Sequence, residues 1–435
     1  MKQGFFILAM LLLPAALSFS QTEENISSIR FETEYQIRDS VDNIGNLYIS
    51  YWGQLPSVLT FINSDGSVTV CSSGGGKTYI YEYSIDLEHQ KTLTFENEFT
   101  TLGAFTKDDE GNYYFFYARN ETRKNAENMA MVKYSPDGEK LNTYKLIALA
   151  LNSFDGVNSP FDAGACRLEL SGQMLAVYFA RKKFNGHQSS YGFVLNKDTF
   201  ERIDIGQVSN NKMMLRGNNT VPYVSHSFNQ FILPVEGGFV FADHGDAFPR
   251  SFTFAKFLNG NITKTLGAFR FPGQQGANAT FAEMGGMAKT PRGYIFCATY
   301  GKDRNTPRNL FVLTFDDDLS RCSDPIYITN YTSNDGHAGH PKLTELENRR
   351  YLLLWELFSF STQSANTIGN TPTGYLSTFM TVIDEQGRLR GETREIKGFR
   401  LNMNDVLRYN KHNGKVFWAI NDSKNSITIY AMTAR

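Results

Sequence analysis

The sequence predicts an all-β protein assembled from seven four-stranded antiparallel units, and three observations predict it. Seven runs of aromatic and β-branched residues recur along the chain: GSVTV from Gly66, GNYYFFYA from Gly111, GQMLAVYFA from Gly172, GFVFA from Gly238, GYIFCA from Gly293, RYLLLWE from Arg350 and GKVFWAI from Gly414. Successive starts lie 45 to 66 residues apart, a period that marks a radial repeat. No long apolar pattern of period 3.6 interrupts the runs, so little helix is expected.

The second unit shows the elements most clearly. Residues 102–107 read as its first strand, Asp108-Asp109-Glu110-Gly111 as a tight turn and 112–118 as its second strand. A polar loop leads to a third strand at 129–134. Ser135-Pro136-Asp137-Gly138 is then a hairpin turn, because Pro presets φ and Gly accepts positive φ, and 140–145 closes the unit. Third strands of the other units fall at 78–84, 190–195, 252–258, 309–315, 376–383 and 426–432. The seventh unit supplies only three strands (405–409, 415–420 and 426–432) before the chain stops, which would leave an open edge. Near the other end Ile29, Phe31, Thr33 and Tyr35 alternate with polar residues as one strand face does. An N-terminal strand is therefore expected to complete the last unit.

Four-stranded units of this length, stacked about an axis, resemble the blades of seven-bladed β-propellers across essentially the whole mature chain. The resemblance is architectural. No Trp-Asp pair ends the third strands, kelch-type paired glycines are missing, and Ser64-Asp65-Gly66-Ser67 touches the sialidase Asp-box pattern once only. It implies one domain over 21–435, a seven-bladed propeller of four-stranded antiparallel blades closed by the N-terminal strand. Architecture alone implies no activity.

Residues 1–20 read as a signal peptide: Lys2 opens it, residues 5–17 are apolar, and Ser18-Phe19-Ser20 precedes a cleavage point before Gln21. The apolar run is short for a membrane span, so a secreted or periplasmic monomer is expected. A formal charge of -1 argues against nucleic acid as a partner. Cys71, Cys166, Cys297 and Cys322 have neither metal-knuckle spacing nor the density of a disulfide scaffold.

Propeller topology sorts the loops. Those between blades, and those joining second to third strands, share one face, and the short Asp/Gly turns share the other. Function is expected among the longer loops, at the channel mouth. His187, His226, His244, His337 and His340 fall there, whereas His89 and His412 fall in the opposite turns. Asp243-His244-Gly245-Asp246-Ala247-Phe248-Pro249-Arg250 leaves a second strand with His, Asp and Arg together, and His226 and His340 stand near the starts of first strands. The candidate ligand-binding residues are His226, His244, Asp246, Arg250, His340 and Glu356.

Three chemistries fit them. His226, His244 and His340 with Asp246 make a metal set. Asp246 with His244 or Glu356 makes an acid/base pair. The same groups can equally hold the loops of the mouth together. Arg119, Arg181, Lys182, Lys183 and Arg250 at the ends of second strands suit a carboxylate or phosphate, and Trp52 lies in a connector that would cross the ligand face. The expected function is binding of a carbohydrate or anionic small molecule at the mouth. A polysaccharide hydrolase or lyase, with or without a metal, and a protein-interaction scaffold are the alternatives. Cofactor and metal content stay open at this point.

Overall fold

A computed structural model of the chain describes residues 26–37, 55–123, 126–147, 157–162, 164–183, 186–203, 224–248, 250–276, 280–303, 305–360, 374–402 and 405–433. The expected signal peptide, Trp52 and most of the long loop from 359 to 374 lie outside these residues. All regular structure among the described residues is β, and no helix long and apolar enough to cross a membrane is found among them.

Strand β1 (Ile26–Glu32) precedes seven antiparallel groups. The first sheet is β2 (Val58–Ile62), β3 (Val68–Gly74), β4 (Lys77–Tyr83) and β5 (His89–Glu96), and the second is β6 (Thr101–Lys107), β7 (Tyr113–Ala118), β8 (Glu127–Tyr134) and β9 (Lys140–Ile147). The third group comprises β10 (Ser159–Pro160), β11 (Cys166–Ser171), β12 (Met174–Lys182) and β13 (Gln188–Asn196). The fourth is β14 (Ser225–Val235), β15 (Gly238–Phe248), β16 (Ser251–Leu258) and β17 (Asn261–Arg270). The fifth is β18 (Ala282–Thr290), β19 (Gly293–Tyr300), β20 (Asn309–Asp316) and β21 (Ile326–Tyr327). The sixth is β22 (His337–Glu345), β23 (Arg350–Phe358), β24 (Tyr375–Asp384) and β25 (Arg394–Glu395). The last is β26 (Arg408–Asn410), β27 (Lys415–Ser423) and β28 (Ser426–Thr433), and β1 pairs with β28 as its fourth strand.

The expected second unit matches its sheet to within about two residues at most ends, apart from a polar loop that ends earlier than the pattern suggested. Three departures have physical causes. The third and fourth groups join into one eight-stranded sheet through a single pairing, Ser189 with Ser225. Strand β26 is shorter than the expected 405–409 because the Asp405 side chain is taken by the Thr60 main chain at 2.9 Å, outside any ladder. Strand β1 stops at Glu32, where the Thr33 hydroxyl donates to the Tyr35 carbonyl at 2.7 Å, yet the expected alternation runs on to Tyr35: Ile29 and Thr33 are buried and Phe31 and Tyr35 half-buried, while Arg30, Glu32 and Glu34 are exposed.

Second strands read as unbroken apolar runs because both of their faces are covered. All six residues of β7 are buried. Seven hydrophobic clusters among the described residues each join consecutive sheets. Phe116 and Met131 meet Phe179 and Phe193, for example, and Phe254 meets Phe296. Another cluster joins the last sheet to the first, with Ile427 and Ile429 against Val68 and Val70. Each such side chain contributes about 1.5–3 kcal/mol by leaving water. The first strands follow one another as spatial neighbours from β2 to β26, and β26 also approaches β2.

The glycine before a run has a packing reason. At Gly238 and Gly293 an added Cβ would run into the third strand's main chain, at Phe257 and at Phe315 respectively. At Arg350 no glycine is needed, because Asn348 and Arg349 take the left-handed turn conformation at φ +61° and +57°.

Candidate functional site

Several first strands break register with their second strands near their beginnings. The shifts fall at Leu102/Ala104, Ser225/Ser227, Ser227/Gln230, Met284/Gly286 and Gly339/Lys342. Bulges of this kind re-aim side chains. His226 and His340 sit in two of them with φ of +50° and +49°, a conformation unfavourable for a residue carrying a Cβ. The segment Gly339-His340-Pro341 favours the break. Pro341 has no N–H for a ladder, and a Cβ at Gly339 would come within 2.9 Å of the Phe358 ring.

His340 and Glu356 form the centre of the site. Nδ1 of His340 lies 2.6 Å from Oε2 of Glu356, and both residues are buried. Glu356 Oε1 also accepts hydrogen bonds from Arg400 Nε at 2.7 Å and from the Leu401 N–H at 2.8 Å. Burial alone would raise the Glu356 pKa, but the His340 imidazole and the Arg400 guanidinium hold it below the ordinary carboxylate value. An ionised Glu356 accepts from Nδ1–H and so fixes the orientation of the ring, with Nε2 on its other side. The His340 main-chain N–H donates to Glu283 Oε2 at 3.0 Å, and Arg308 stands 3.5 Å from the same oxygen. His337 completes the group, its pKa pushed down to about 3 by burial and by Arg308 and His340.

The other candidates form a separate group around the chain that follows β17. Asp246 and Arg250 make a buried ion pair, and the Asp246 carbonyl accepts from Arg250 Nη1 at 2.9 Å and from the Gly276 N–H at 3.0 Å. Nε2 of His244 lies 2.6 Å from Thr280 Oγ1, with the ring against Phe252 and Phe271. Burial, then Arg250, pushes its pKa down to about 3. Arg250 borders a cavity of about 450 Å³ beside the third and fourth strands of its own sheet, with Ser251, Thr253 and Arg270. His226 packs on His187 at 5.0 Å between ring centroids, and burial lowers its pKa.

The six candidates thus fall into two arrays, His340 with Glu356 and His226 with His244, Asp246 and Arg250. The described residues hold no group of three His, Cys, Asp or Glu able to bind a metal, so the set of His226, His244, His340 and Asp246 is not assembled as a metal centre. Of the expected cationic residues, Arg181 is fully buried over the Tyr191 ring, and Arg119 is held by the Glu127 carbonyl at 2.8 Å. Both have structural partners.

Glu283, Arg308 and Arg400 escaped the sequence reading. Glu283 had a usable signal, since the second residue of β11, β14 and β18 is polar each time: Arg167, His226 and Glu283. Asp243 escaped too. It accepts hydrogen bonds from Tyr178 and Ser227, both at 2.6 Å, and burial lifts its pKa to about 7 against those bonds.

Larger cavities open among the short turns, where little was expected. One of about 740 Å³ is bordered by Phe61, Glu347, Arg349, Tyr409 and His412. Another, of about 610 Å³, is bordered by Asp65, Lys91, Lys107, Asp109 and Pro136.

No protein-family model matches the sequence, and no curated protein matches it. Among solved structures, the chain is similar to an oligogalacturonate lyase in complex with manganese, at 9% identity over 97% of both chains and a TM-score of 0.47. It is similar to an endo-arabinase from Bacteroides thetaiotaomicron at 8% identity, over 90% of this chain and 98% of that one, with a TM-score of 0.36. A protein of unknown function from Dyadobacter fermentans matches at 9% identity, over 82% of this chain and 99% of that one, with a TM-score of 0.41. With TM-scores below 0.5, these likenesses carry no argument about activity.

Proposed function

We propose that the chain is an exported, monomeric seven-bladed β-propeller, completed by its N-terminal strand, that binds a carbohydrate or other polar small ligand at the long-loop mouth of its central channel. The pairing of β1 with β28, the cluster joining the last sheet to the first, and the succession of first strands from β2 round to β26 support the ring. The leader-like residues 1–20 support export.

One observation carries the functional reading. His340 is held in a strained conformation in a bulge at the start of a first strand, with a buried carboxylate fixing its ring. Strain of this kind persists only where surrounding structure enforces it, and it clusters at ligand sites. His340 Nε2 meets a ligand hydroxyl, while the neighbouring guanidinium groups of Arg308 and Arg400 favour a carboxylate-bearing ligand such as an acidic sugar. Titration calorimetry against neutral and acidic oligosaccharides tests this. Binding by the native chain that is lost in His340→Ala supports it, and binding that survives unchanged in His340→Ala refutes it.

The fixed imidazole also favours a second reading, a polysaccharide lyase or hydrolase in which His340 takes a proton. Product release from acidic polysaccharide, slowed at least about tenfold in Glu356→Gln as a mis-set tautomer would slow it, separates a catalyst from a lectin.

A further inference from the structure

The outer half of the fourth sheet carries a polar pocket on the face turned away from the fifth. Along β16, Phe252 and Phe254 pack on Phe296 of the fifth sheet, so Ser251 and Thr253 belong to the opposite face. There Gly267 of β17 stands opposite Thr253 and adds no side chain. A bulge follows, with Phe269 as the extra residue at φ +51°, and it brings Arg270 opposite Ser251. The result is the cavity of about 450 Å³ that Arg250 borders. Small-molecule sites fall in this range, about 300–1,000 Å³.

The lining suits an oxyanion. Its polar side chains are Arg250, Ser251, Thr253, Thr265, Arg270 and Gln275, all able to donate hydrogen bonds, and no lining residue is acidic. Ser251 and Thr253 are 1% and 2% exposed, and neither hydroxyl has a hydrogen-bond partner among the described residues. Buried hydroxyls are seldom left so, because their lost hydration goes uncompensated. Arg250 is fixed by Asp246 and by the Pro272 carbonyl at 3.2 Å, so it serves as a wall of the pocket. The exposed Arg270 adds a positive charge at the rim, and Leu266 and Phe271 give the cavity an apolar side.

We propose that this pocket binds the sulfate or phosphate group of a sugar-sized ester. The Ser251 and Thr253 hydroxyls turn about χ1 and donate to the oxyanion oxygens, and Arg270 pairs with its charge. The sugar ring lies on Leu266 and Phe271. The pocket flanks the fourth sheet and uses neither His340 nor Glu356, so it is a second site whatever the mouth binds.

Titration calorimetry of the full chain with glucose 6-phosphate and glucose 6-sulfate tests the proposal. The expected result is saturable binding of at least one ester, which excess glucose does not displace. The ester bound more tightly identifies the head group. A Cβ at Gly267 would lie 3.1 Å from Ser251 Oγ, so Gly267→Val fills the pocket, and Thr253→Val removes a hydroxyl while keeping the shape. Each should weaken binding at least about tenfold, and either one carries the test if the other fails to fold. Three results overturn the proposal: no binding of either ester by the native chain, equal binding by native and variant chains, or displacement by glucose. Loss of binding in His340→Ala, with both pocket variants unaffected, places the ester at the mouth and overturns it too.

Discussion

The imidazole of His340 and the carboxylate of Glu356 are bound to each other at 2.6 Å, at the point where β22 departs from the register of β23. Because Glu356 also holds Arg400 and the Leu401 N–H, one carboxylate joins the sixth sheet to the segment entering the seventh. Glu356→Gln removes the charge and should cost about 2–4 kcal/mol, measured by denaturant unfolding at neutral pH. The pH dependence has a definite sign. The folded-state pKa is held below the ordinary 4.5, so the contribution is full above that value and is lost as pH falls through the folded one. The gap between native and variant stabilities should therefore close in acid. A gap independent of pH would contradict the pairing.

His244 and His337 are both pushed down to about 3 by burial. A histidine that is neutral when folded but titrates near 6.5 when unfolded contributes stability above 6.5 that is lost as pH falls toward the folded value. The native chain should lose up to about 3 kcal/mol per pH unit below 6.5 from these two groups. Unfolding curves taken at steps from neutral to mildly acidic pH check this, and the slope should flatten in His244→Gln and His337→Gln.

The N-terminal strand covers the outer edge of the last sheet. Ile26 and Ile29 are buried, and β1 pairs with β28 over its whole length. Ile29→Ala should cost about 2–4 kcal/mol in denaturant unfolding. Removal of residues 26–32 should expose the β28 edge and yield aggregate by light scattering. A soluble truncated chain with native stability would count against closure.

At Gly238 and Gly293 the glycine that precedes the second strand is a packing device. Gly293 has φ +147° and its missing side chain faces the main chain of β20. Gly293→Ala should destabilise by about 1–3 kcal/mol in thermal unfolding. Gly172→Ala is a control, because nothing lies within 4 Å of a Cβ there, although its φ of +56° still carries a strain cost.

Much of the scaffold is legible in the sequence because its rules are local. Second strands covered on both faces read as apolar runs, and turns read as Asp, Gly and Pro. The site is legible only in part, because it depends on distant partners. The segment from Asp243 to Arg250 stands out as a polar motif, yet Asp246 and Arg250 satisfy each other and His244 is held by Thr280. His340 and Glu356 are brought together by an antiparallel register with a bulge, and Arg400 arrives from the next sheet. Nothing in the local composition marks Arg400. The cavities near Tyr409 and Lys107 were equally hidden, since each lies where turns from different sheets meet.

Hydrogen exchange of the native chain, with and without saturating acidic oligosaccharide, tests the central claim most directly. Ligand-dependent protection should fall on the peptides covering β18, the beginning of β22 and the end of β23, around Glu283, His340 and Glu356. Protection confined to the opposite turns, around Phe61, Arg349 and His412, would place the ligand on the other face and contradict the account.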